Sequence, residues 1–137
     1  MQNHFYVIFS QTNSLSGQSF RLCKYNQNGN LLFSNAISIL FSYIENINMI
    51  TSSDGSLILF GTAREGGCDF FNGNQFCFIS KYDETGNQIW TKKIPNYTTL
   101  KSNIAELQNG NFIVKLSVQS LPNSTLFEID NLSLIHI

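Results

Sequence analysis

Residues 81–94 read KYDETGNQIWTKKI, and residues 24–37 read KYNQNGNLLFSNAI. The two stretches lie fifty-seven positions apart and share Lys-Tyr, an Asp or Asn, a Gly-Asn pair and an aromatic in register. Self-similarity at a long, fixed period marks a repeat architecture, in which each unit buries its faces against its neighbours. The likeness extends outward from this phrase. FYVIFS (5–10) matches LILFGT (57–62), and SSDGSLILFGT (52–62) matches LQNGNFIVKLS (107–117). STLFEID (124–130) is a weaker third copy of the segment that reads QSFRLCKY at 18–25 and QFCFISKY at 75–82.

The unit reads as four short strands. Strand A covers about 44–50 and is followed by the turn SSDG. Strand B covers about 56–62, and the long loop AREGGCDFFNGNQ (63–75) leads to strand C, about 76–82. The turn DETGN leads to strand D, about 88–94, and PNYTTLKSN (95–103) leads to the next strand A near Ile104. Each run is rich in β-branched and aromatic residues and bounded by Gly, Asn or Asp. Gly29, Gly55, Gly86 and Gly110 fall where the hairpins need positive φ. SNIAELQNG (102–110) has some helical character, but its place in the repeat makes it strand A.

Strand B decides how the units meet. Phe5 to Phe9 in one copy and Leu57 to Phe60 in the next are apolar on both faces. A sheet with one wet face would alternate, so strand B is expected between neighbouring sheets. Four antiparallel strands per repeat, with an inner strand buried on both sides, predict an all-β fold built of β-propeller blades. Phe33 and Trp90 hold the same place on strand D and are expected to fill the gap between blades. The predicted organisation is a partial blade over 1–43 (strands B, C and D), a complete blade over 44–103, and a partial blade over 104–137 (strands A, B and C). The tail NLSLIHI (131–137) leaves the pattern. About ten strands make roughly two and a half blades, whereas a propeller closes with 4–8. The expectation is a piece of a longer protein; the alternative is a ring completed by several copies.

The phrase K-Y-D-x-x-G-N-x-x-W, with x-x-D-G-x-x-x-x-G-T, resembles the propeller repeats of bacterial secreted or surface proteins. The resemblance covers about residues 4–130 and implies a fold and an extracellular or cell-surface location more than an activity. Asp83, Thr85, Gly86 and Trp90 also resemble the blade-docking positions of quinoprotein-type repeats. Asp83 and Thr85 stand one residue closer than that pattern requires, and no quinone or other cofactor is expected.

Charge excludes several function classes. The 137 residues carry a net charge of −1 and only 12% charged side chains. That leaves no basic patch for nucleic acid and no acidic tail. No apolar run approaches the roughly 20 residues of a membrane-spanning helix. MQNHFYVIFSQTNS has no Lys or Arg before a short apolar run and does not read as a signal peptide.

The candidate chemistry is sparse. Cys68 and Cys77 bracket the long loop, as a disulfide in an oxidising compartment or as two reduced thiols. Cys23 aligns with Ser80 and reads as a small strand residue. His4 and His136 are too far apart in sequence, and no C-x-x-C pair accompanies them, so no zinc site is expected. Asp83 to Asn87 carries oxygens at alternating positions, but its first copy, Asn26 to Asn30, has no carboxylate, so it reads as a turn rather than a calcium loop. Arg64, Glu65 and Asp69 share the 63–75 loop and form the candidate contact surface for a protein or ligand. No nucleophile elbow or phosphate loop appears. The first reading is therefore a non-catalytic scaffold or interaction module, with the remaining blades or other copies as partners. A second is a lectin, because SDGSLILFG and QNGNFIVKL distantly resemble the sugar-binding strands of bulb-type lectins, with Asn111 and Val114 the nearest matches. A third is part of a propeller enzyme whose catalytic blades lie elsewhere.

Overall fold

The structure is a computed structural model that describes residues 4–13, 17–37, 43–65, 73–95, 103–117, 124–130 and 135–136. The described residues form strands and turns with no helix, and every strand pairing is antiparallel. Sheet I joins β1 (His4–Asn13), β2 (Gly17–Asn26) and β3 (Leu31–Ile37). Sheet II joins β4 (Tyr43–Thr51), β5 (Leu57–Arg64), β6 (Gln75–Tyr82) and β7 (Gln88–Pro95). Sheet III joins β8 (Asn103–Glu106), β9 (Phe112–Ser117), β10 (Ser124–Ile129) and β11 (Ile135–His136). Each sheet is a meander whose strands lie in chain order. Residues 103–110 open with β8, so the repeat and not the local helical character decides their backbone.

One difference from the sequence expectation lies in the tail. The ladder of sheet III continues past β10, with Glu128 opposite His136 and Ile129 opposite Ile135. The expected strand-D signature of Gly-Asn and an aromatic is missing there, yet backbone pairing needs only free N–H and C=O groups along an open edge. A sheet edge recruits such a segment whatever its side chains.

The repeat is visible atom by atom in the turns. In the hairpin after β6, Gly86 N–H donates to the Asp83 carbonyl and Asp83 N–H to the Asn87 carbonyl, at 3.0 and 2.9 Å. After β2, Gly29 N–H donates to Asn26 and Asn26 N–H to Asn30, both at 3.0 Å. Each is a three-residue loop closed by a glycine at φ near 80°, a conformation that costs other residues steric strain. Gly55 and Gly110 close the β4–β5 and β8–β9 hairpins in the same way. The ladders also shift register at equivalent places, between Lys24 and Tyr25 and between Lys81 and Tyr82.

Sheet II is the centre of the molecule. Successive β5 side chains point to opposite faces, and Leu57, Ile58 and Leu59 are 0% exposed while Phe60 is 6% exposed. Leu57, Leu59, Phe76, Phe78 and Tyr82 pack in one cluster with Phe20, Leu22 and Ile37 of sheet I. Ile58, Phe60, Cys77, Ile79 and Ile94 pack in a second cluster with Phe112, Val114, Leu116, Phe127 and Ile129 of sheet III. Full burial of each large aliphatic side chain is worth roughly 1.5–3 kcal/mol. The absence of polar/apolar alternation in β5 therefore has a direct cause, a covering sheet on each side.

Candidate functional site

Two polar clusters stand out against this apolar stack, one at the base of the long loop and one at the seam between sheets II and III. The first sits where β5 leaves and β6 enters. Glu45 of β4 accepts from Arg64 Nε with one carboxylate oxygen and from Gln75 Nε2 with the other. Glu65 pairs with Lys93, whose ammonium also lies 4.5 Å from the centroid of the Phe76 ring. Glu65 N–H donates to the Asn74 carbonyl at 3.0 Å, closing the loop at its neck. Arg64 and Glu65 are thus engaged by sheet II itself, and their half-exposed charges cancel locally. Asp69 and Cys68 lie outside the described residues, and with them the Cys68–Cys77 bridge; Cys77 itself is buried in the cluster between sheets II and III.

The second cluster follows from a lysine placed in the middle of an apolar strand. Lys81 is 6% exposed, and its ammonium meets the Asp54 carboxylate at 2.8 Å. That charge-assisted bond from Lys81, with a second from Ser56, holds the Asp54 carboxyl well below its ordinary range. Across the seam, Glu106 of β8 reaches the SSDG turn. Its carboxylate accepts from Ser52 Oγ at 2.7 Å and from Ser53 N–H and Oγ, both at 2.8 Å. The Ser52 bond is the main reason that its carboxyl also sits below the usual range. Charged groups here fasten one turn and tie sheet III to sheet II.

The seam between sheets I and II is fastened differently. Asn35 Nδ2 donates to the Gly86 carbonyl at 2.9 Å, and Lys24 Nζ donates to the Glu84 carbonyl at 3.0 Å. The Phe33 ring packs against the sheet I–II cluster and lies over Gly86, where a side chain would meet it. Trp90, at the equivalent place on β7, packs against the cluster between sheets II and III. Both strand-D aromatics therefore occupy the gap between adjacent sheets.

Asp83 shows why its stretch looks like a cation loop. Its Oδ1 accepts from Thr85 Oγ1 at 2.7 Å and from the Thr85 and Asn87 N–H groups, both at 2.9 Å. The Thr85 hydroxyl is the largest contributor in holding its carboxyl at about 2. Asn26 Oδ1 accepts from the Asn28 and Asn30 N–H groups in the same arrangement without any charge, so the geometry belongs to the turn. Asn111 Nδ2 donates to Glu128 at 2.7 Å, and Val114 is buried against sheet II. Among the described residues no cluster of three or more His, Cys, Asp or Glu side chains is positioned for a metal ion, and no helix is long and apolar enough to cross a membrane.

Sequence reasoning did not single out Lys81, Asp54, Glu106 or Asn35. A signal for Lys81 was present, since a charged residue repeated inside an otherwise apolar strand calls for a buried partner. Glu106 and Asn35 carry no such signal, because their partners come from a neighbouring sheet. No protein-family model matches this chain, and no curated protein matches it.

Proposed function

We propose that this chain is a non-catalytic module of β-propeller type, acting as a structural or interaction scaffold within a larger assembly of the same sheets. The observation that carries this reading is the order of the faces. Sheet II meets sheet I with the face bearing Leu57 and Leu59, and meets sheet III with the face bearing Ile58 and Phe60. Sheet III in turn meets sheet II with Phe112 and Val114, which stand in its repeat where Leu57 and Leu59 stand in sheet II. The two seams thus have one sense, as successive blades do.

The polar groups support a scaffold over a catalyst. Asp54, Asp83 and Glu106 hold turns and a seam, and Glu45 and Glu65 are paired at the loop neck. The neck places Arg64 and Glu65 at the rim, beside a long loop of the kind that carries partner contacts on rigid folds. An extracellular or surface setting rests on the resemblance to bacterial surface repeats alone. The lectin alternative draws less support, since Val114 is buried and Asn111 is bonded to Glu128.

A glycan array and a panel of chromogenic ester, glycoside and peptide substrates, run on the whole chain, test the proposal. A scaffold gives neither turnover nor glycan binding. Saturable glycan binding lost in Asn111→Ala installs the lectin instead. Turnover abolished by one side-chain substitution installs an enzyme.

A further inference from the structure

The internal seams identify a partner for the two outermost faces. In sheet I the residue pairs Phe5–Tyr25 and Val7–Cys23 stand where sheet II has Leu57–Tyr82 and Leu59–Ser80. In sheet II that face is covered by sheet I. In sheet I no described sheet covers it, and Phe5 is 56% and Phe9 48% exposed. At the far end, sheet III sets Ile113–Glu128 and Lys115–Leu126 where sheet II has Ile58–Lys81 and Phe60–Ile79. In sheet II that face is covered by sheet III, whereas Leu126 is 61% exposed. The uncovered faces of the described sheets correspond to the two halves of the internal seam.

We propose that the outer face of sheet III in one copy docks onto the outer face of sheet I in a second copy, repeating the sheet-on-sheet seam between chains. This rests on the stacked-blade reading above and adds the partner. A second copy fits because the interface would continue one already made twice within the chain, with residue pairs at the same register positions. Because the two faces differ, the contact is head-to-tail, and successive copies close a ring or grow a filament.

Sedimentation velocity of the whole chain from about 1 to 100 μM tests this, with Phe5→Asp blocking one face and Leu126→Asp the other. Both side chains are exposed, so the fold should survive; far-UV circular dichroism and Trp90 fluorescence check it, and Phe9→Asp serves if Phe5→Asp unfolds. Docking predicts concentration-dependent association of the parent chain, monomers for each single variant, and a 1:1 complex when the two variants are mixed, since one intact face remains on each. A folded parent that stays monomeric overturns the docking and leaves the stacked-blade reading standing. Association undiminished by Leu126→Asp, or no complex on mixing, overturns it as well. A parent chain with no β-structure removes both.

Discussion

Gly29 and Gly86 close equivalent turns with φ of 79° and 84°, yet only one of them lies in a seam. A Cβ at Gly29 would meet nothing within 4 Å. At Gly86 it would stand 2.5 Å from Phe33 Cε2, 2.7 Å from Cζ and 2.8 Å from Asn35 Nδ2, all in sheet I. Gly29→Ala should therefore cost only the positive-φ strain, about 1–2 kcal/mol. Gly86→Ala should cost the same strain plus about 1–3 kcal/mol for forcing the ring and the amide aside. The difference between the variants, about 1–3 kcal/mol, isolates the contact between sheets I and II from the turn itself. Urea unfolding followed by Trp90 fluorescence reads it, and Phe33→Leu in the Gly86→Ala background should recover part of the loss as a coupling energy. Equal losses for the two glycines, within about 0.5 kcal/mol, would refute the packing of Phe33 on that turn.

Trp90→Ala, which removes the only tryptophan, should cost about 2–3 kcal/mol in urea unfolding followed by far-UV circular dichroism, below the ~3–5 expected for a fully buried large aromatic because the indole is only partly covered. Gly61→Ala should cost about 2 kcal/mol or more, since its Cβ would fall on the Asn46 carbonyl of β4, and backbone in a ladder yields less than a side chain. The Lys81–Asp54 pair sets an acid limit. A carboxyl held low in the folded state stabilises above its unfolded value, near 3.8, and that stability is lost as pH falls through the lower folded value. The melting-temperature gap between the parent and Asp54→Asn should be full above about pH 5 and close as pH drops below 4; a gap independent of pH would rule out ionisation as the source.

Much of the fold is legible in the residues because each device repeats. KYDETGN and KYNQNGN specify the same hairpin, and the unbroken apolar run Leu57 to Phe60 reports covering sheets on both sides. What stays hidden depends on distant partners or on backbone alone. Glu106 reads as an ordinary polar residue of a short strand until the Ser52–Ser53 turn is brought against it. Ile135 and His136 pair through main-chain groups, which leave no side-chain signature. Lys93 belongs with Glu65 only because β6 and β7 are neighbours in the ladder. The loop-neck cluster was thus half readable: Arg64 and Glu65 from their place beside the long loop, Glu45 and Gln75 only from the folded sheet.

The stacking of three sheets through the two faces of β5 is tested most directly by a methyl-selective nuclear Overhauser spectrum. The Leu57 and Leu59 methyl groups should show cross-peaks to side chains of sheet I, and the Ile58 methyl groups to side chains of sheet III. Cross-peaks from all three residues to one sheet alone, or strong Leu57 or Ile58 signals to water, would contradict it.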